Sequence, residues 1–274
     1  MRRLWRDARG RTGLLILAAA VLIAVAAPLV TDGHPDRQRE VSATRFLPPF
    51  ATDRHGTRHL LGTDRFGRDV WTRLAYGARI SLGVGALAVA ISIAVGCVVG
   101  GLAGAGRGAL SRSLLAATYF ALALPRVVLL LLLAALWSPS AGLVIVVLGL
   151  TGWMGIARLV YGEVRALDAR GFAQSARALG ATRARVLWRH LLPNAMTPVV
   201  VAAALGVGNA ILLEAGLSYL GLGVQPPTAS WGTMIASGRD TLVNAPWVAA
   251  APGVALVLVV VACTLVGDAL RERR

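Results

Sequence analysis

The sequence predicts an all-helical membrane protein with six transmembrane helices. Three observations carry that reading. Of the 274 residues, 56% are hydrophobic and only 15% charged, where soluble domains carry about 25% charge. The apolar residues gather into six runs, 13–31, 79–104, 113–137, 141–160, 195–215 and 247–267, each close to or above the roughly 20 residues that cross a bilayer. The longest polar stretches between them, 32–78 and 161–194, are too short for a domain of about 50 to 250 residues with its own core.

The elements follow in order. Residues 1–12 form a basic start, and 13–31 the first span. A basic start, an apolar run and the A-x-A-like AVAAP resemble a secretory signal, but the run from Leu14 to Val30 exceeds the 7–15 residues of a signal core. A retained first span is expected. An outer loop over 32–78 carries eight arginines and the acids Asp32, Asp36, Glu40, Asp53, Asp64 and Asp69. The membrane core over 79–267 then begins with the second span, 79–104. There Gly96, Gly100 and Gly104 recur every four residues, a spacing that lets helix backbones approach in lipid. In the fourth span, 141–160, Gly152 and Gly155 act similarly or loosen the helix, as do Gly206 and Gly208 in the fifth, 195–215. Pro125, in the third span at 113–137, and Pro252, in the sixth at 247–267, bend their helices, because proline lacks a donor and clashes one turn back. An outer loop over 216–246 precedes the sixth span, and a tail over 268–274 follows it.

All 28 basic residues are arginine, for a net charge of +15. Membrane proteins keep cytoplasmic loops positive. With the N-terminus inside, six spans return the C-terminus inside, and the inner pieces hold 17 arginines against nine in the outer ones. Charge of this kind serves membrane lipid and protein partners; no nucleic-acid partner is expected. Cys97 and Cys263 lie inside apolar runs and suit core positions, since a disulfide framework or metal site needs more ligands in polar surroundings. Trp137, Trp153, Trp231 and Trp247 fall near span ends, as interfacial anchors do.

The stretch 161–194 is the chain's most polar inner piece. It reads as two helices, one with Phe172, Ala176 and Leu179 on a face, the other with Ala184, Leu187 or Trp188, and Leu191. Gly180 suits a left-handed cap between them, Thr182 an N-cap, and Pro193 the start of the fifth span. Such a pair either lies on lipid headgroups or fits a groove on a cytoplasmic partner.

The stretch resembles the cytoplasmic signature loop of permease subunits of bacterial ABC importers, E-A-A, three residues, G, nine residues, I-x-L-P. Ala176 matches the second alanine, Gly180 the glycine, and Leu192 and Pro193 the terminal pair. His190 stands for the isoleucine, as in the peptide-importer branch. Gln174 and Ser175 replace the acid and the first alanine. HLLGTDRFGRDVWTRLAYGARISLGVG, 59–85, and EAGLSYLGLGVQPPTASWG, 214–232, are similar to blocks of the dipeptide, oligopeptide and nickel branch. The resemblance implies a coupling loop that includes Gln174, Ser175, Ala176, Leu179, Gly180, Ala181, His190, Leu192 and Pro193. It also implies a second, unlike permease subunit, two ABC ATPase subunits, an extracytoplasmic solute-binding protein, and alternating access in the bacterial inner membrane. The solute would be a peptide, or nickel or a related small solute; another solute or an exporter branch is the alternative.

No catalytic residue is expected. Without lysine there is no G-x-x-x-x-G-K-[ST], so ATP and Mg are left to the ATPase partners and no cofactor is expected on this chain. A secondary transporter would want acids in its spans, and a membrane hydrolase a nucleophile and base in reach of each other; the spans carry almost no acid, no histidine and no nucleophile motif. His34, His55 and His59 are not spaced as a metal site. Arg126, mid-span, faces either the solute path, where it would attract a carboxylate, or a partner subunit's acid or a carbonyl freed by Pro125. A central arginine costs about 2.5–3.5 kcal/mol on insertion scales, so it needs such a setting. Glu214 is read as a gate, a subunit contact or a headgroup-level acid.

Overall fold

A computed structural model describes residues 7–31, 33–38 and 40–271. Among them there is no strand beyond the isolated bridges Thr52–Arg58 and Thr63–Asp69. The helices are α1 (Ala8–Val30), the short α2 (Val41–Thr44), α3 (Val70–Ala105), α4 (Ala109–Ala123), α5 (Arg126–Leu136), α6 (Ala141–Asp168), α7 (Gly171–Ala178), α8 (Arg183–Val186), α9 (Leu192–Tyr219), α10 (Trp231–Gly238) and α11 (Trp247–Arg271). A wider π turn over Leu187–Leu191 joins α8 to α9 without a break.

Side chains set where the helices start. Asp69 accepts from the Thr72 backbone at 2.7 Å and opens α3. Ser140 accepts from Leu143 at 3.1 Å and opens α6. Ser230 and Thr233 cap α10 reciprocally. Each satisfies donors that a helix start leaves free.

α1, α3, α6, α11 and the α8–α9 rod are long and apolar enough to cross a membrane. α4 and α5 qualify only together, and they meet at 84°. The third span expected over 113–137 with a bend at Pro125 is a pair of helices with a sharp break there. The break falls at Leu124–Pro125, where the missing N–H and the restriction on the preceding residue favour extended backbone. α3 begins nine residues before the apolar run it contains, and α6 runs eight past its own.

The tightest packing is α3 on α6. A Cβ at Gly96 would stand 2.6 Å from Ile156, one at Gly104 2.9 Å from Val164, and one at Gly100 would collide with the Ala157 carbonyl. The four-residue glycine spacing thus places α6 against bare α3 backbone. Gly155, by contrast, faces open space. One core joins Val84, Ala88, Val144, Leu148 and Ala210 with Leu130 of α5. A second, at the α7–α8 end, joins Val160, Val164 and Ala173 to Val186, Leu187 and Leu191. A third packs α1 and α11 on α3 and α9 through Ala24, Ala78, Ile211 and Val259. Cys263 is buried there and Cys97 half-buried, both as free thiols.

Candidate functional site: the Gly180 turn and the buried polar groups

The polar turn between α6 and α9 is built from α7, α8 and the π turn. Its hinge is Gly180, at φ +84°. The Gly180 N–H donates to the Arg177 carbonyl at 2.9 Å, and the Ala181 N–H reaches the Ala176 carbonyl at 3.1 Å. This pair is the Schellman closure of α7, and it needs a left-handed residue at position 180. Nothing lies within 4 Å of a Cβ placed there, so backbone conformation, not space, asks for glycine. Thr182 Oγ1 then accepts from the Arg185 N–H at 3.3 Å and starts α8. Arg177 pairs with Asp168, and also donates to its carbonyl at 3.0 Å, tying α7 to the end of α6.

The apolar face of the turn differs from the one read from spacing. Ala173 is fully buried and Ala176 packs beside it, while Phe172 is 42% exposed and Leu179 88%. In the second half Val186, Leu187 and Leu191 point inward, and Trp188 is 54% exposed. Ala184 is exposed too. Pro193 falls in the first turn of α9, as expected, but the second helix is not a separate insert: the π turn carries α8 into α9 without a break. The small residues Ala173 and Ala176 let α7 lie close to the span ends, which turns the larger Phe172 and Leu179 to the outside.

The other residues of the turn divide by depth. Gln174, Ser175 and Pro193 are exposed, Ala181 and His190 half-buried, and Leu192 buried. Gln174 Nε2 donates to the Ala169 carbonyl at 3.2 Å, back onto its own chain. The His190 carbonyl accepts from Asn194 Nδ2 at 2.6 Å.

Glu214 is enclosed by its own chain, at 0% exposure. Its side chain has no face open to the surface of this chain. Oε2 accepts from Ser81 at 3.0 Å and Oε1 from Ser218 at 2.7 Å. Ser81 Oγ in turn accepts from the Trp231 N–H at 3.1 Å, and Ser218 Oγ from the Val224 N–H at 3.0 Å. The carboxyl thus ties α3, α9 and the loop before α10 together. Sequence reading missed Ser81 and Ser218, although both lie inside the two outer blocks. Trp231 is 2% exposed and donates to the Leu74 carbonyl, and Trp247 donates to the Thr63 carbonyl, each at 3.2 Å. These two tryptophans are internal braces rather than interfacial anchors.

The outer loop is braced by charge. His59 lies between Asp69, at 2.9 Å from Nδ1, and Asp53, at 3.6 Å from Nε2. Asp64 pairs with Arg68 at 2.7 Å, and Arg73 with Asp36 at 2.9 Å. His55 lies 3.9 Å from Glu40 and His34 stacks on Tyr76, so the three histidines serve different partners. Among the described residues no group of three or more His, Cys, Asp or Glu is placed to hold a metal ion.

Arg126 begins α5 just past the break. It lines a cavity of about 60 Å³ with Ser92, Gly152, Gly206 and Asn209. Its Nε is buried without a hydrogen-bond partner. A carbonyl freed by Pro125 does not pair with it among the described residues.

Residues 92–273 match the model of the binding-protein-dependent transport system inner membrane component family. The chain is 38% identical over 271 residues to a putative peptide transport system permease protein of Brucella abortus biovar 1, covering 99% of this chain and 88% of that one. It is 36% identical to the dipeptide transport system permease protein DppC of Bacillus subtilis, over 99% of this chain and 82% of that one. It is 37% identical to the di/tripeptide transport system permease protein DppC of Pseudomonas aeruginosa, over 95% and 85%. In fold it is similar to a chain of the MetNI methionine ABC transporter in an inward-facing conformation, with a TM-score of 0.60 and 23% identity over 73% of this chain and 95% of that one. With the bent third span, the Gly180 turn and these likenesses together, the chain belongs to the binding-protein-dependent inner-membrane transport component family and is a multi-pass permease subunit of an ABC importer.

Proposed function

We propose that this chain forms one side of the translocation path for short peptides, with a second, unlike permease forming the other. An extracytoplasmic binding protein delivers the solute, and two ABC ATPases drive the cycle. The relatives' peptide-transport names support the solute class. The chain itself performs no catalysis and binds no cofactor; ATP and Mg act on the ATPase subunits. Both termini lie in the cytoplasm, which the arginine excess of the inner pieces supports.

One observation carries the coupling role. The turn at Gly180 exposes Leu179, Phe172 and Trp188 on a base held down by Val186, Leu187 and Leu191. Large apolar side chains on a rigid, short-helix projection fit a groove on a protein partner. Because α7 is tied to α6 and α8 is continuous with α9, a push on the turn moves two spans at once. When the ATPases close, this turn tilts α6 and α9 and switches the path between inward- and outward-open. Gln174, Ser175, Ala176, Ala181, His190, Leu192 and Pro193 shape that contact. Arg126, at the mouth of the broken third span, lines the solute route.

The test is a mild-detergent pull-down of the tagged chain from native membranes. A second permease and ATPases are expected to co-purify, and Leu179→Asp should remove the ATPases while leaving the permease pair. Recovery of the chain alone, or ATPases retained by Leu179→Asp, would sink the docking role.

A further inference from the structure

The arginine that opens α5 has no counter-charge. Among the described residues its guanidinium makes no hydrogen bond or ion pair, and its Nε is shut off from solvent. The six apolar runs contain a single acid, Glu214, which is enclosed with Ser81 and Ser218 and makes no ion pair with Arg126. So the spans of this chain cannot neutralise Arg126. An arginine at membrane depth is tolerated where it faces a cavity or a partner.

The setting adds positive potential. Arg126 is the first residue of an 11-residue helix, whose free N–H groups carry partial positive charge at that end. A cation at this terminus is unfavourable alone and favourable only with an anion beside it. Room for one has been kept. The cavity of about 60 Å³ lies between α3, α6 and α9, with Gly152 and Gly206 on its walls. A Cβ at Gly152 would collide with Ser92 Oγ and stand 3.4 Å from the Arg126 guanidinium. Asn209 is exposed and makes no hydrogen bond among the described residues. The Ser92 hydroxyl already donates to the Gly149 carbonyl at 3.0 Å, so the free donors are the guanidinium and the Asn209 amide.

We propose that Arg126 and Asn209 form a carboxylate subsite in the permease itself, which receives the C-terminal carboxylate of the passing peptide. A planar carboxylate takes two parallel N–H bonds from the guanidinium fork, and the cavity admits a group of that size. This rests on the reading that the chain carries peptides. It adds that the permease itself selects for a free carboxylate.

The experiment uses the complete transporter in proteoliposomes, with binding protein outside and ATP inside. The probes are dialanine and dialanine amide, each at a concentration that saturates the binding protein. Wild type should import dialanine about tenfold faster than the amide, and Arg126→Gln should lower dialanine import to the amide's rate, as expected for loss of a charge-assisted pair. Arg126→Lys, which keeps the charge, should restore part of the import. Unchanged dialanine import by Arg126→Gln would overturn the subsite with peptide import intact. So would equal loss for both probes together with loss of the second permease on purification, which would make Arg126 a subunit-pairing residue. Import of neither probe by wild type would sink the peptide reading and the subsite with it.

Discussion

The two ends of the molecule handle their side chains in opposite ways. At the outer end, polar groups are taken inside and paired: Glu214 with two serines, His59 between two aspartates, Asp64 with Arg68. At the inner end, large apolar groups are left outside: Leu179, Trp188 and Phe172 on the Gly180 turn. Both ends carry sequence blocks typical of the same family. The difference teaches that a shared block can serve its own chain or a partner, and that satisfaction tells the two apart. A group whose bonding or burial is complete within the chain works for the fold. A group left incomplete works for something that arrives.

The comparison breaks most visibly if Glu214 proves dispensable for stability. Glu214→Ala leaves the hydroxyls of Ser81 and Ser218 without their acceptor and opens a hole between α3, α9 and the α10 entry. The expected loss is about 3 kcal/mol, read as a lower thermal midpoint of the purified chain in detergent. Intact thermal stability with failed transport would make Glu214 a gate and reverse its assignment to the fold.

Leu179→Asp is the matching probe at the other end, and should have the opposite profile. At 88% exposure it should leave the thermal midpoint unmoved. It should weaken ATPase binding by about 2 kcal/mol, or roughly thirtyfold, as a central apolar contact does. Titration of purified ATPase onto the permease pair measures it. A fall in thermal midpoint would mean that Leu179 packs on its own chain.

Gly180 sharpens the comparison, because it belongs to the fold locally and to the partner by consequence. Gly180→Ala must hold a Cβ residue at φ +84°, at a cost of about 1–2 kcal/mol. Gly180→Asn should cost less, since asparagine tolerates the left-handed region. ATPase binding should fall in the order glycine, asparagine, alanine. Equal binding by all three would show that the turn's conformation does not set the docking surface.

Much of this was legible from residues alone. Six apolar runs, the Gly180 and Thr182 caps, the break at Pro125 and the α3 glycine stripe all follow from local chemistry. The inward face of the turn was not legible. Phe172, Ala176 and Leu179 share a face by spacing, but spacing cannot tell whether a large apolar residue is meant for its own core or for a partner. Close approach to the span ends selected the small Ala173 and Ala176 instead. The burial of Glu214 was hidden for a different reason. Its partner Ser81 lies 133 residues away, and no local pattern announces that the two meet. The continuity of α8 with α9 was hidden by Pro193, which reads as a boundary but sits in the first turn of α9 after a π turn that lets the rod run through.

The smallest effect is expected at Asp53, where the outer brace meets acid. Enclosure in the loop works to raise its carboxyl, but it is outweighed. The N–H groups of Thr57 and His55 donate to Oδ1 at 2.8 and 2.9 Å, and the His59 and His55 rings add favourable charge. The net result holds Asp53 below the ordinary carboxylate range. A carboxyl whose folded value lies below its unfolded one, about 3.9, stabilises fully above that unfolded value. The contribution is then lost as pH falls through the lower, folded value. Hydrogen exchange of the 51–59 segment should therefore be steady from pH 7 to about 5 once corrected for intrinsic rates, and protection should decline only in stronger acid. In Asp53→Asn that decline should be absent. A decline already complete near pH 6 would place the titrating group elsewhere in the brace. The outer end would then depend on acidity in the range where a histidine ordinarily ionises, and its pairing would be conditional in the way the inner turn's contacts are.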